Sequence, residues 1–220
     1  MGKILASLCG FGRRGGTTRD VVCGDVITIG GTNGLARDII SGNHGHGVFI
    51  TDAGTSGNLV EGDSIGTHAL DVANLGNGGD GVQIANGASN NFIGGSDGNG
   101  INYIENNDVG IFVAGAGTGN WIRFDVVRFN GFTAPANLSG DGVAIGNTAG
   151  TNLMDVTFTS NRDWGLDVIN SPSHNAGGLT FANNGHGSIY VVYWARRAPV
   201  ATAQRLVASR ALQRDPKASP

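Results

Sequence analysis

The sequence predicts an all-β chain wound as a single right-handed parallel β-helix, a solenoid of about six coils with two loop insertions at one corner. Three observations predict it. Glycine is in excess; an apolar residue is followed three places on by Asn or Asp; and a Gly-apolar-any-apolar tetrad alternates with that pattern. Thirty-nine of 220 residues are glycine and five are proline, against a usual glycine share of about 7%. No collagen period accompanies the glycines, and aliphatic residues are too frequent for disorder. Glycine reaches positive φ at little cost, so a chain of this kind turns often.

The first pattern runs Ile40 to Asn43, Val60 to Asp63, Ile104 to Asn107, Val127 to Asn130, Phe158 to Asn161 and Phe181 to Asn184. The second begins at Gly47, Gly81, Gly110, Gly142 and Gly165, with a degraded sixth copy at Gly187. Intervals of 20 residues from Asn43 to Asp63, and 23 from Asn107 to Asn130 and from Asn161 to Asn184, suit one turn of a wide solenoid with two or three short strands. Apolar residues two apart on a strand point the same way. Stacking the coils therefore predicts two interior columns: Val48, Val82, Ile111, Val143 and Leu166 in one, Ile50, Ile84, Val113, Ile145 and Val168 in the other.

The asparagines are read first as mechanical parts. Asn tolerates left-handed backbone at a corner, and equivalent amides in successive coils form a hydrogen-bonded ladder. Right-handed winding follows from the general preference of parallel crossovers. The solenoid is bounded at residues 21–194, with an irregular segment at 1–20 and a basic, Ala-rich tail at 195–220, helical or loose. Cys9 and Cys23 form neither a disulfide framework nor a metal spacing.

Charge is divided along the chain. Residues 21–194 hold four basic and fifteen acidic side chains, a net of −11, while the two ends are basic. An acidic body repels phosphates and so argues against nucleic acid; it also disfavours acidic polysaccharides unless calcium bridges the two. Arg196, Arg197, Arg205, Arg210, Arg214 and Lys217 are spread through the tail without aromatic partners, unlike a nucleic-acid surface. No segment reaches the roughly 20 apolar residues of a membrane span. The run Ile4 to Phe11 is short for a signal peptide and is followed at once by Arg13 and Arg14.

Segments such as Ala36-Arg37-Asp38-Ile39-Ile40-Ser41-Gly42-Asn43, Gly54-Thr55-Ser56-Gly57-Asn58-Leu59-Val60-Glu61-Gly62 and Gly87-Ala88-Ser89-Asn90-Asn91-Phe92-Ile93-Gly94-Gly95 resemble bacterial parallel β-helix repeat proteins of the pectin-lyase-like superfamily. The likeness covers about residues 27 to 190. It implies a secreted or cell-surface repeat protein, a monomer or one section of a longer chain, with a polysaccharide or surface glycan as partner. Two functions follow as alternatives. One is a non-catalytic binding or adhesion scaffold; the other is a polysaccharide lyase, epimerase or glycoside hydrolase.

Insertions in a solenoid tend to mark its functional face. The asparagine-to-glycine gap is four residues from Asn43 to Gly47 and from Asn161 to Gly165, but 18 from Asp63 to Gly81 and 12 from Asn130 to Gly142. Asp80, Asp108, Asp141 and Asp163 stand just before the glycines, with His46 and His186 at the matching places in the end coils. Neighbouring coils would hold such carboxylates about 5 Å apart, close enough for calcium or for a catalytic pair. An enzyme at this corner would use Asp108, Asp141 and Asp163 as acids and Arg162 as base, with Trp164, His46 and Asp80 binding substrate. Calcium, the one cofactor the cluster would admit, would fall to Asp80, Asp108 and Asp141; the scaffold alternative needs no cofactor. Asp before Gly is equally an ordinary turn dipeptide. Gly45-His46-Gly47 and Gly185-His186-Gly187 resemble an element of polygalacturonases, but the Asn-Thr-Asp and Asp-Asp elements of that family are missing. Arg128 flanks inward Val127 and is expected outside, and Trp121 is expected to pack inside or to cap a groove.

Overall fold

The structure is a computed structural model that describes residues 6–8, 20–21, 26–33, 36–67, 75–132 and 140–193. The basic tail and the Asn137-Leu138-Ser139 glycosylation sequon lie outside the described residues, as do both cysteines. β1 (Ala6–Leu8) and β2 (Asp20–Val21) precede the first coil, which is made by β3 (Thr28–Gly30), β4 (Ile39–Ile40) and β5 (Val48–Ile50). The second coil is β6 (Leu59–Glu61), β7 (Ser64–Ile65) and β8 (Val82–Ala85); the third is β9 (Phe92–Ile93), β10 (Tyr103–Glu105) and β11 (Ile111–Ala114). The fourth is β12 (Trp121–Arg123), β13 (Val126–Arg128) and β14 (Val143–Gly146), and the fifth β15 (Asn152–Met154), β16 (Thr157–Thr159) and β17 (Trp164–Ile169). β18 (Asn175–Gly177), β19 (Thr180–Ala182) and β20 (Gly187–Val192) close the sixth.

Every third strand pairs in parallel, so six coils stack into three sheets. The first runs β3-β6-β9-β12-β15-β18, the second β4-β7-β10-β13-β16-β19, and the third β5-β8-β11-β14-β17-β20. β1 and β2 extend the third sheet beyond β5, so part of the segment expected to be irregular adds two strands to that end.

Both predicted columns form. Val48, Val82, Ile111, Val143 and Leu166 pair in register, as do Ile50, Ile84, Val113, Ile145 and Val168, and all ten are buried. Ile29, Val60, Ile93, Ile122 and Leu153 fill the first sheet's inner face, and Ile40, Ile65, Ile104, Val127 and Phe158 the second's. β-Branched side chains keep one preferred rotamer on a pleated face, which lets identical neighbours nest coil upon coil. Trp121 departs from expectation: it flanks inward Ile122 on β12, pairs with Phe92 on β9, and is half-buried on the outside.

The corner between the second and third sheets carries the asparagine ladder, Asn43-Asn77-Asn107-Asn130-Asn161-Asn184. Each amide nitrogen donates to the next coil's Asn Oδ1, at 2.8 Å from Asn43 to Asn77 and from Asn77 to Asn107, and at 2.9 Å from Asn130 to Asn161 and from Asn161 to Asn184. The same nitrogen donates to a carbonyl of the preceding coil, as Asn107 does to Ile65 and Asn130 to Ile104. Coil two corrects the prediction, since its rung is Asn77 and not Asp63. Consequently the first insertion leaves before the ladder residue, between Ile65 and Asn77, and the second leaves after Asn130.

The tetrad glycines stack directly beside this ladder, and space requires them. A Cβ on Gly47, Gly81 or Gly142 would lie 2.6 Å from the carbonyl oxygen of Gly81, Gly110 or Gly165 in the next coil. In the last coil the pairing of Leu166 with Ile189 puts Ser188, rather than Gly187, in this column.

Candidate functional site

By register with β8, β11, β14 and β17, the acidic corner is two columns and not one. His46, Asp80, Val109, Asp141 and Trp164 share the first; Asp108, Asp163 and His186 share the second with Gly45, Gly79 and Gly140. The reason is visible in the sequence, since Asp80 and Asp141 stand one residue before glycine and Asp108 and Asp163 stand two before. Like side chains are therefore two coils apart, about 10 Å along the stack, and nearest neighbours are diagonal.

The polar atoms of these side chains tie one coil to the next. Asp141 Oδ1 accepts the Trp164 N–H at 2.9 Å, and Asp163 Oδ2 accepts the Gly140 N–H at 3.0 Å. His46 Nδ1 lies 3.2 Å from Asp80 Oδ2, and His186 Nδ1 lies 3.2 Å from Asp163 Oδ1. Asp80, Asp108 and Asp141 are all buried. Arg162, the expected base, donates through Nη1 to the Gly131 carbonyl. Trp164 stacks on Tyr190 with ring centroids 5.2 Å apart and meets His186 at 5.9 Å. Asp108 has no protein partner for its enclosed Oδ1. Burial, then the carboxylates of Asp80 and Asp141, push its pKa up to about 6, against the opposing pull of His46 and Arg162. Among the described residues no three His, Cys, Asp or Glu side chains are gathered so as to hold a metal ion. Asp80, Asp108 and Asp141, the expected calcium ligands, are strung along the corner instead of converging.

The corner between the first and second sheets is more varied than the repeat pattern predicts. Coils two and four turn there within a few residues, whereas in coil one the described residues 31–33 and 36–38, and in coil three residues 94–102, lie outside the strands in longer connections. Between these connections, over the tight turn at Gly62, lies an open cleft of about 410 Å³ lined by Gly31, Thr32, Arg37, Asn99, Ile101 and Tyr103. The Arg37 guanidinium sits 5.3 Å from the Tyr103 ring centroid, and Arg128 lies 5.9 Å from it. Arg128 faces outward as expected and is held by Glu105 at 2.8 Å. Asp97 shapes the loop by accepting from the Asn99 N–H and Nδ2. The signal for this site was the extra spacing before Tyr103, which is masked in the sequence by a glycine-rich stretch that reads as turn.

Beneath the cleft runs a second ladder, Asp38-Asp63-Asn102-Asp125. Asp63 Oδ1 accepts the Asp38 N–H, Asn102 Oδ1 accepts from Asp63, and Asp125 Oδ1 accepts from Asn102. Asn102 completes its rung by donating Nδ2 to the Val60 carbonyl. Asp63 Oδ2 and Asp125 Oδ2 are enclosed with no partner. A carboxylate has no proton to give, so burial pushes Asp63 up from 3.8 to about 7 and holds Asp125 well above the usual carboxylate range.

The consequence for stability is signed. Between pH 4 and 7 the folded chain retains a proton on Asp63 that the unfolded chain releases, so the contribution of Asp63 to stability is fully present below pH 4 and is lost as pH rises towards 7. A rise of about three units limits this loss to roughly 4 kcal/mol. Asp63→Asn retains the Oδ1 acceptor and supplies the missing donor. It is expected to stabilise the protein at pH 8 and to flatten the dependence between pH 4 and 7. Urea midpoints of both proteins across that range check this, and parallel curves would exclude Asp63 as the source.

In comparisons with known proteins, the chain matches no family model, no curated protein and no solved structure.

Proposed function

We propose that this protein is a non-catalytic binding module, a rigid β-helix that presents the cleft at the first-second corner to a saccharide. The observation that carries the reading is the use of the acidic corner. Asp141 and Asp163 accept backbone N–H groups of adjacent coils, Asp80 and Asp163 each face a histidine of the neighbouring coil, and the four carboxylates are split between two columns, where an enzyme would need them convergent. The cleft, by contrast, offers an aromatic ring with a guanidinium over it, an Asn side chain and backbone polar groups. This mixture suits a neutral sugar, whose hydroxyls exchange hydrogen bonds with the guanidinium, the amide and the backbone while its C–H groups pack against the exposed part of Tyr103. In keeping with the pectin-lyase-like resemblance, we place the module outside the cell or on its surface.

The test is a glycan panel probed with the native chain and with Tyr103→Ala, Arg37→Ala and Asp108→Asn. The first two substitutions are expected to weaken binding about tenfold each, corresponding to about 1.4 kcal/mol. Asp108→Asn should leave it unchanged. Binding that survives both cleft substitutions would sink the proposal.

One observation favours an enzymatic second reading, a lyase, epimerase or hydrolase at the acidic corner. Asp108 carries an unpartnered oxygen and a pKa near 6, as a general acid requires. Unsaturated product or new reducing ends from uronate polymers incubated with calcium, lost in Asp108→Asn, would establish it over the binding module.

A further inference from the structure

Among the described residues the sixth coil is the last, and they leave its core uncovered. Ile189 and Val191 pair with inward Leu166 and Val168 and so belong to the same two columns. They are 37% and 39% exposed, where Leu166 and Val168 are 4% and 6%. Phe181 stacks on buried Phe158 at 4.9 Å and is itself half-buried. In the third sheet the inward residues send their N–H groups to the following coil, Val48 to Gly81, Val82 to Gly110 and Ile111 to Gly142. By the same parity the N–H groups of Ile189 and Val191 point away from coil five, where the described residues hold no further strand.

What lies over this end is not a seventh coil in the same register. Each tetrad glycine from coil one to coil five is required because the next coil's carbonyl occupies the place of its Cβ. Ser188 has a Cβ in that column, which leaves no room for such a carbonyl. Nor is the end dressed for water. The 28 residues from Val168 to Ala195 contain no Asp, Glu, Lys or Arg, although exposed sheet edges ordinarily carry charge to discourage pairing with other chains. An uncharged edge with an open apolar centre is a surface made to be covered.

We infer that the segment following Tyr193 folds back across coil six and caps it. That segment starts at the open end itself, since β20 is the outermost strand and the chain leaves it at Tyr193. It supplies Trp194, Val200, Leu206, Val207 and Leu212 for the apolar surface. Its arginines would face water above a solenoid whose own charge is −11 over residues 21–194. Reach is ample. Even at the 1.5 Å per residue of a helix, 27 residues span on the order of 40 Å, about twice the length of a six-residue side of the coil. Tethering also gives this segment a millimolar effective concentration at the site, an advantage that a second copy lacks.

Hydrogen exchange on the full chain tests the cap. Amides of Ile189 and Val191 are expected to exchange at least tenfold more slowly than free-peptide rates. Leu206→Asp combined with Val207→Asp should release them while leaving Ile111 to Ala114 protected, which shows that the solenoid itself still folds. Should the double substitution unfold the whole chain, trypsin takes over as the readout on the native protein. Cleavage after Arg205 and Arg210 should then be at least tenfold slower than in the urea-unfolded chain. Free-peptide exchange at Ile189 and Val191, protection that persists in the substituted chain, or unhindered cleavage overturns the inference. Protection that grows with protein concentration also overturns it, in favour of a second copy on this face.

Discussion

Asn107→Leu is expected to remove most of the stability of the chain. The side chain is wholly buried at the middle of the main ladder, with Asn77 bonded to its Oδ1 and its own Nδ2 donating to Ile65, Glu105 and Asn130. Leucine of similar volume would fill the space but strand the Asn77 N–H and one amide hydrogen of Asn77 below, and take a donor from the Ile65 and Glu105 carbonyls; Asn130 Oδ1 keeps the Asn107 N–H. Each buried group left without a partner costs about 1–3 kcal/mol, so the loss should be near 5 kcal/mol. The stability of an entire domain is about 5–15 kcal/mol. Urea unfolding, or a failure to recover soluble protein, measures it; a loss under about 1 kcal/mol would mean that the ladder contributes little.

Gly142→Ala is the second large effect, and its control lies in the same column. An added Cβ would sit 2.6 Å from the Gly165 carbonyl oxygen, 2.8 Å from Phe158 Cδ1 and 2.9 Å from the Asn161 amide nitrogen. The carbonyl belongs to a strand locked between two neighbours, so relief requires coils four and five to part. We expect a loss of about 3 kcal/mol, the upper part of the range for overpacking. Ser188→Ala at the equivalent place in coil six should change stability by no more than about 0.5 kcal/mol. Thermal midpoints of the two proteins make the comparison, and equal shifts would contradict the steric account.

The interior was legible because its pattern is strict. Val48 through Leu166 recur beside a glycine in each of the first five coils, and nothing but stacking in register explains that recurrence. Asn77 was missed because the insertion before it separates it from the apolar residue that announces the other rungs. Asp63 took its place because Val60-Glu61-Gly62-Asp63 repeats the same pattern at a different corner. Distance to the following glycine was the better guide, since Asn77 stands four residues before Gly81, as Asn43 does before Gly47. The acidic corner was legible as a location and misleading as a constellation. A shift of one residue relative to glycine, between Asp80 and Asp108, is enough to move a side chain to the next column. The cleft joins residues from coils one and three, Arg37 and Tyr103, that no local spacing relates.

Because every rung bonds only within its own coil and to the coils directly before and after it, no side chain of the main ladder depends on the total number of coils. The molecule is thus built to a unit measure, as repeat arrays are. Lengthening or shortening it by one whole turn, such as the 23 residues that separate Asn107 from Asn130, changes its height and leaves its cross-section the same. A change of any other length inside a strand shifts every later rung out of line, whereas one at a corner is absorbed by a loop, as the 34 residues between Asn43 and Asn77 and the 31 between Asn130 and Asn161 are.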